Sequence, residues 1–114
     1  MCKEEMQAVL SEHLSKFRAW TYAQLSERVE RDRREHDCLE HAEGTALDGT
    51  RYQMEFQAFW DDKPHGNVRV CGGLSAEPQK PLLGFIPIYR PDVTGSFIMG
   101  PDGRFEDENQ THVA

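Results

Sequence analysis

No stretch of the 114-residue chain approaches the roughly eighteen apolar residues that a membrane-crossing helix needs. Basic residues are also short: thirteen Lys and Arg against twenty Asp and Glu leave a net charge of −7. Neutralising phosphates takes clustered Lys and Arg, so no nucleic-acid partner is expected. An anionic membrane surface is disfavoured for the same reason. Solubility is the plain reading of the acidity, and a basic protein partner is the lesser one. Cysteine is scarce as well. Cys2, Cys38 and Cys71 are odd in number and widely spaced, which argues against a disulfide framework and fits a reducing cytoplasm. The opening MCKEEMQAVLSEH has neither a basic n-region nor an apolar h-region, so no secretory signal is expected there. The chain also lacks a nucleophile elbow, HExxH, CxxC, a P-loop and a dinucleotide glycine pattern, and GPDG and VCGG are too short to cradle phosphate. These absences disfavour the large cofactor-using classes, and no cofactor and no metal are expected.

What is present suits one soluble domain. Apolar residues make up 38%, with six Phe, three Tyr and two Trp, while 29% of residues are charged. A domain of this length buries roughly two thirds of its unfolded surface. The domain is expected over residues 1–105, followed by a flexible acidic tail over residues 106–114 that holds little to bury.

Met6, Val9, Leu10, Leu14 and Phe17 recur at helical spacing and predict an amphipathic helix from Lys3 to Phe17. Thr21 then offers an N-cap and Gln24 its capping-box partner, with Trp20 and Leu25 placed as a hydrophobic staple. That second helix carries Leu25 and Val29 inward and is expected to fray within RDRREHD, a solvated run of nearly cancelling charge. Thereafter the pattern is extended. Cys38–Thr45 reads as a short strand, Leu47–Thr50 as an Asp-Gly hairpin turn, and TRYQMEFQAFW as a long half-buried strand. Within it Tyr52, Met54, Phe56, Ala58 and Trp60 share one face, while Phe59 points with the polar set. DDKPHG is a connection and Asn67–Leu74 a third strand, in which Gly72-Gly73 signals a bulge or a close backbone approach. SAEPQKP and RPDVTG read as loops around a buried strand LLGFIPIY, and SFIM and RF flank a GPDG type I turn with a bulge. The order of elements predicts an α+β fold, with two N-terminal helices packed on one face of a four- to five-stranded antiparallel sheet, a meander of hairpins.

Three constellations carry possible chemistry. His36, Cys38 and His41, with Asp37 or Glu40, have zinc-ligand chemistry, but in a strand His41 points away from the other two, and an exposed strand start is favoured. Asp61 and Asp62 beside Trp60, with His65, pair carboxylates with an aromatic that could raise one pKa for general base work. The same residues also make an ordinary exposed turn, the favoured reading. Cys71 could be a nucleophile with His65 or His41, against a favoured reading as a half-buried structural thiol.

WTYAQLSERV, GTRYQMEFQAFWDDKPHGNVRV and SFIMGPDGRFE together resemble a group of small bacterial hypothetical proteins of unknown function, over roughly residues 20 to 107. The most specific pieces are WDDxPxGxxRV and SFIxxPDGxF, while LLGFIPIYRPDVTG is more apolar and richer in proline than the group's spacer. The resemblance implies a bacterial cytoplasmic protein with a single α+β domain, and it carries no activity or site residue.

Two functional classes follow. The first is a non-catalytic binding module, of an accessory or immunity type, acting on a basic protein partner. Its surface is expected at Phe59, Trp60, Asp61, Asp62, His65 and Arg69, an aromatic anchor with a polar rim. The second is a small enzyme or ligand-binding protein with a pocket between helices and sheet. There Trp20, Tyr22, Tyr52 and Trp60 would form the lining, and Asp61 or His65 would supply acid–base chemistry. A homodimer formed through the sheet is compatible with either.

Overall fold

The computed structural model describes residues 1–76 and 91–106. Helix α1 spans Lys3–Arg18, and its spacing turns Met6, Leu10, Leu14 and Phe17 into the core. Glu4 and Glu5 in its first turn and Lys16 and Arg18 in its last complement the helix dipole. Helix α2 spans Tyr22–Glu35 behind the expected capping box: Gln24 N–H donates to Thr21 Oγ1 at 3.1 Å, and Thr21 N–H donates to Gln24 Oε1 at 2.9 Å.

The helix ends within RDRREHD, late in the run. It continues to Glu35 and stops at His36, which takes the left-handed conformation at φ 54°. The reason lies in Arg28, whose guanidinium donates to the carbonyls of Cys38 (3.3 Å) and Leu39 (3.0 Å) and to Asp32 Oδ1 (3.4 Å). These bonds clamp the last turns to the chain that follows. Asp32, within the charged run, is therefore buried.

Among the described residues five strands follow: β1 (Glu40–Thr45), β2 (Arg51–Trp60), β3 (Val68–Ala76), β4 (Val93–Met99) and β5 (Phe105–Glu106). They form one antiparallel sheet in the order β1-β2-β3-β4-β5, a meander. The Asp-Gly turn and the GPDG turn share one architecture. In each, a glycine at positive φ (Gly49 +88°, Gly103 +81°) closes a turn whose aspartate accepts from the backbone N–H two residues on. β1 starts at Glu40 rather than Cys38. Of the expected loop RPDVTG, Arg90 lies outside the described residues and only Pro91 and Asp92 stand outside the sheet, because Val93, Thr94 and Gly95 already pair with β3. Asp92 sets that earlier start: its N–H donates to Leu74 O and its Oδ2 accepts from Ala76 N–H, both at 2.8 Å. Glu106, expected to open the tail, pairs with Ile98. The LLGFIPIY strand and residues 107–114 lie outside the described residues.

Both helices lie on one face of the sheet, α1 against β3 and β4 and α2 against β2 and β3. Between the layers Leu10, Leu25, Phe56, Val68, Val70 and Leu74 are wholly buried. The alternation in TRYQMEFQAFW is realised as expected, with Met54, Phe56 and Ala58 facing the helices. Gly72 and Gly73 pair in regular register without a bulge. Gly72 is instead a point of close approach, since a Cβ there would lie 2.5 Å from Phe56 Cε1 and 3.2 Å from Leu10 Cδ1.

Candidate functional site

Phe59 and Trp60 end β2, and strand alternation sends them to opposite faces. Trp60 turns toward the helices, where its Nε1 donates to Glu30 Oε1 of α2 at 3.1 Å and its ring lies 5.4 Å from that of His65. A second bond joins α2 to the connection after β2, from the Tyr22 hydroxyl to Gly66 O at 2.7 Å. Burial pushes the Tyr22 phenol upward, which keeps it a donor. The end of β2 and the connection that follows it are thus each held to α2 by one bond. Asp61 N–H donates to Asn67 O (2.8 Å) and Gly66 N–H to Lys63 O (3.1 Å), while His65 stands at φ 64°.

Phe59 stands on the other face, 41% exposed, with Arg69 as its lateral neighbour on β3 and Ile98 beyond Arg69 on β4. Arg69 Nε donates to Asp61 Oδ1 at 2.7 Å, a charge-assisted bond between side chains that are each less than a third exposed. This bond turns the side chain of Arg69, the register partner of Phe59, toward Asp61. The six residues expected to form one surface are therefore split by the sheet. Phe59, Arg69 and Asp61 make a corner on the open face, Trp60 and His65 face α2, and Asp62 is exposed on the connection.

The acid–base arrangement is not assembled in this geometry. Asp61 receives Arg69, and the ring of His65 lies against Trp60. The four expected pocket residues are also dispersed. Tyr52 and Trp60 are at opposite ends of β2, roughly 26 Å apart at strand rise. Trp20 packs edge-on against Phe17 at 5.4 Å, and Tyr22 is bonded to Gly66. Tyr52 lies over Gly44 and borders a shallow polar depression with Glu43, Thr45, Arg51 and Gln53.

Cys71 is half-buried on the open face. Burial is the main cause that pushes its thiol up; nearby Asp61 adds to this and Arg69 opposes it. Such a thiol is a poor nucleophile at neutral pH. Cys38 is raised too, first by burial and then by Glu55 and Asp37. All three cysteines are free thiols. His36 caps α2 while His41 projects from β1 to within 3.3 Å of Gln53 Oε1. Among the described residues no three His, Cys, Asp or Glu side chains converge as metal ligands, and no helix is long and apolar enough to cross a membrane.

One polar contact at the core has no counterpart in the sequence reading. His13 of α1 stacks on Phe56 (4.8 Å, 14°) and bonds Glu40 Oε1 through Nε2, with Lys16 Nζ 4.0 Å from the same oxygen. Its position between Leu10 and Phe17, on the flank of the apolar stripe, was the available signal. The pair ties α1 to β1 and leaves Glu40 half-exposed. Compared with models of protein families, with curated proteins and with solved structures, the chain matches none.

Proposed function

We propose that this chain is a non-catalytic interaction module that holds a protein partner at the open-face corner formed by Phe59, Arg69 and Asp61. The observation that carries the reading is Phe59: a large apolar ring 41% exposed at the end of a long strand, with Arg69, bonded to Asp61, as its register partner on β3. Aromatic residues and arginine are enriched at protein interfaces, and arginine is among the residues that most often carry their binding energy. Because the end of β2 and the connection behind the corner are bonded to α2 through Trp60 and Tyr22, the anchor is presented on a rigid support and little is lost in ordering it. The net charge of −7 favours a basic partner and speeds its encounter. The role is of an accessory or immunity type, in keeping with the acidic balance and the exposed aromatic, and the setting is a bacterial cytoplasm, with which three free thiols are compatible. The acid–base alternative has less behind it, because Asp61 is engaged by Arg69.

The test is capture of partners from lysate of the native host at moderate salt, with the Phe59→Ala/Asp61→Asn/Asp62→Asn variant alongside. A stoichiometric partner held by the wild type and lost by the variant is expected. A partner retained equally by both would remove the corner as its site.

A further inference from the structure

The edge of the sheet at β1 has a polarity that its ladder with β2 defines. Ala46 N–H donates to Thr50 O at 2.8 Å, so these two residues form a hydrogen-bonded pair. The register continues as Thr45↔Arg51, Gly44↔Tyr52, Glu43↔Gln53 and Ala42↔Met54. In an antiparallel ladder hydrogen-bonded and non-hydrogen-bonded pairs alternate, so Gly44, Ala42 and Glu40 direct their backbone groups to β2. The N–H and C=O groups of His41, Glu43 and Thr45 then point away from the sheet. Among the described residues no strand lies beyond them, and all three residues are exposed. Such an edge is a template for another strand.

A second copy pairing antiparallel about a two-fold axis, with helices kept on the same face, has three central registers. With Glu43 on the axis, two carboxylates oppose each other. With Gly44 on the axis, Glu43 faces Thr45 and the centre is two glycines with no side-chain contact. With Ala42 on the axis, His41 opposes Glu43 of the second copy, and the symmetry makes that pair twice. The two Ala42 methyl groups then meet at the narrow, non-hydrogen-bonded spacing, and Glu40 faces the bare Gly44 of the second copy, which leaves its bond to His13 undisturbed. We propose that the chain self-associates through β1 in this Ala42-centred register, extending the sheet across two copies.

The association is weak by construction, since three outward residues per copy fall short of the roughly 1,200 Å² of a stable interface. It is also pH-dependent. On the open face His41 is faced by Glu55 and Gln53 of its own β2, and the second copy adds Glu43. An imidazolium between two carboxylates favours the paired state, so dimer affinity is expected to be higher at pH 6 than at pH 8.

Sedimentation equilibrium up to about 1 mM chain, at pH 6 and pH 8, tests this, because that range reaches the weak class of affinities. Wild type is expected to show a reversible monomer–dimer equilibrium, tighter at pH 6. His41→Glu, which sets carboxylates against Glu43 twice, is expected to weaken it about tenfold, and His41→Glu/Glu43→Lys to recover most of that loss. Glu43→Pro removes an outward N–H while leaving the β1–β2 donors in place, so the variant is expected to be monomeric with an unchanged circular dichroism spectrum. Should Glu43→Pro fail to fold, the comparison of the His41→Glu single and double variants decides. A wild type that is monomeric throughout, or a dimer indifferent to His41→Glu, overturns the proposal.

Discussion

Replacing Gly72 by alanine probes the contact that sets how closely α1 approaches the sheet. The new Cβ would lie 2.5 Å and 2.6 Å from two ring carbons of Phe56, whereas carbons in comfortable contact are about 3.5–4.0 Å apart. Phe56 is 0% exposed and wedged between Phe17 (5.3 Å) and His13 (4.8 Å), so its ring has no free space to enter. Overpacking of this kind costs about 1–3 kcal/mol, against about 0.5–1 kcal/mol regained by removing a glycine from a strand. A net loss of about 1–2 kcal/mol is expected, which lowers Tm by about 4–8 °C per kcal/mol in a domain near this size. Gly95, the register partner of Gly72 on β4, is the internal control. A Cβ there meets Leu14 at 3.4 Å and Leu10 at 3.7 Å, ordinary contact, so Gly95→Ala should be neutral or stabilising by about 0.5 kcal/mol. Urea unfolding followed through Trp20 and Trp60 fluorescence measures both variants. In a Phe56→Leu background the Gly72→Ala penalty should shrink, because the opposing ring carbons are gone. A Gly72→Ala protein as stable as wild type, or a Gly95→Ala protein equally damaged, would refute the packing argument.

Other outcomes follow from single contacts. Thr21→Ala removes the capping box and should cost about 1 kcal/mol in the same unfolding assay. Arg28→Ala leaves Asp32 buried without its cation and strips two carbonyls of their donor, so a loss of about 3 kcal/mol is expected, among the largest for any single charged side chain here. With a thiol reagent at pH 7.5, exposed Cys2 should react quickly and Cys71 slowly, and alkylation mapped by mass spectrometry checks the order. The raised Cys71 thiol keeps its proton in the folded state after the unfolded chain has begun to lose it. Its stabilising contribution is therefore full below about pH 9 and declines as pH rises through the folded value, a slope that Cys71→Ser should reduce.

The features that the sequence made legible are those with short-range causes. The capping box at Thr21 and Gln24, the alternation of Met54, Phe56 and Ala58, and the two Asp-Gly turns each depend on residues a few positions apart. The features that were hidden depend on partners far along the chain. Arg28 looks like one charge among many in RDRREHD's neighbourhood until Cys38 and Leu39 place carbonyls in front of it. The early start of β4 was masked because its second inward position is Gly95, where alternation leaves no apolar trace. At the candidate site the strand pattern correctly set Phe59 apart from the apolar stripe. The separation of Trp60 from Phe59 is implicit in that same alternation. The commitment of Trp60 to Glu30 and of Asp61 to Arg69 required the packed structure.

Hydrogen exchange of the chain, free and in complex with its captured partner, tests the proposed interaction surface most directly. Protection is expected to concentrate in peptides spanning the end of β2 and the start of β3, residues 57–70, with the core-facing helices unchanged. Protection confined to α1 and α2, with residues 57–70 exchanging as in the free chain, would contradict the claim that Phe59, Arg69 and Asp61 form the binding corner.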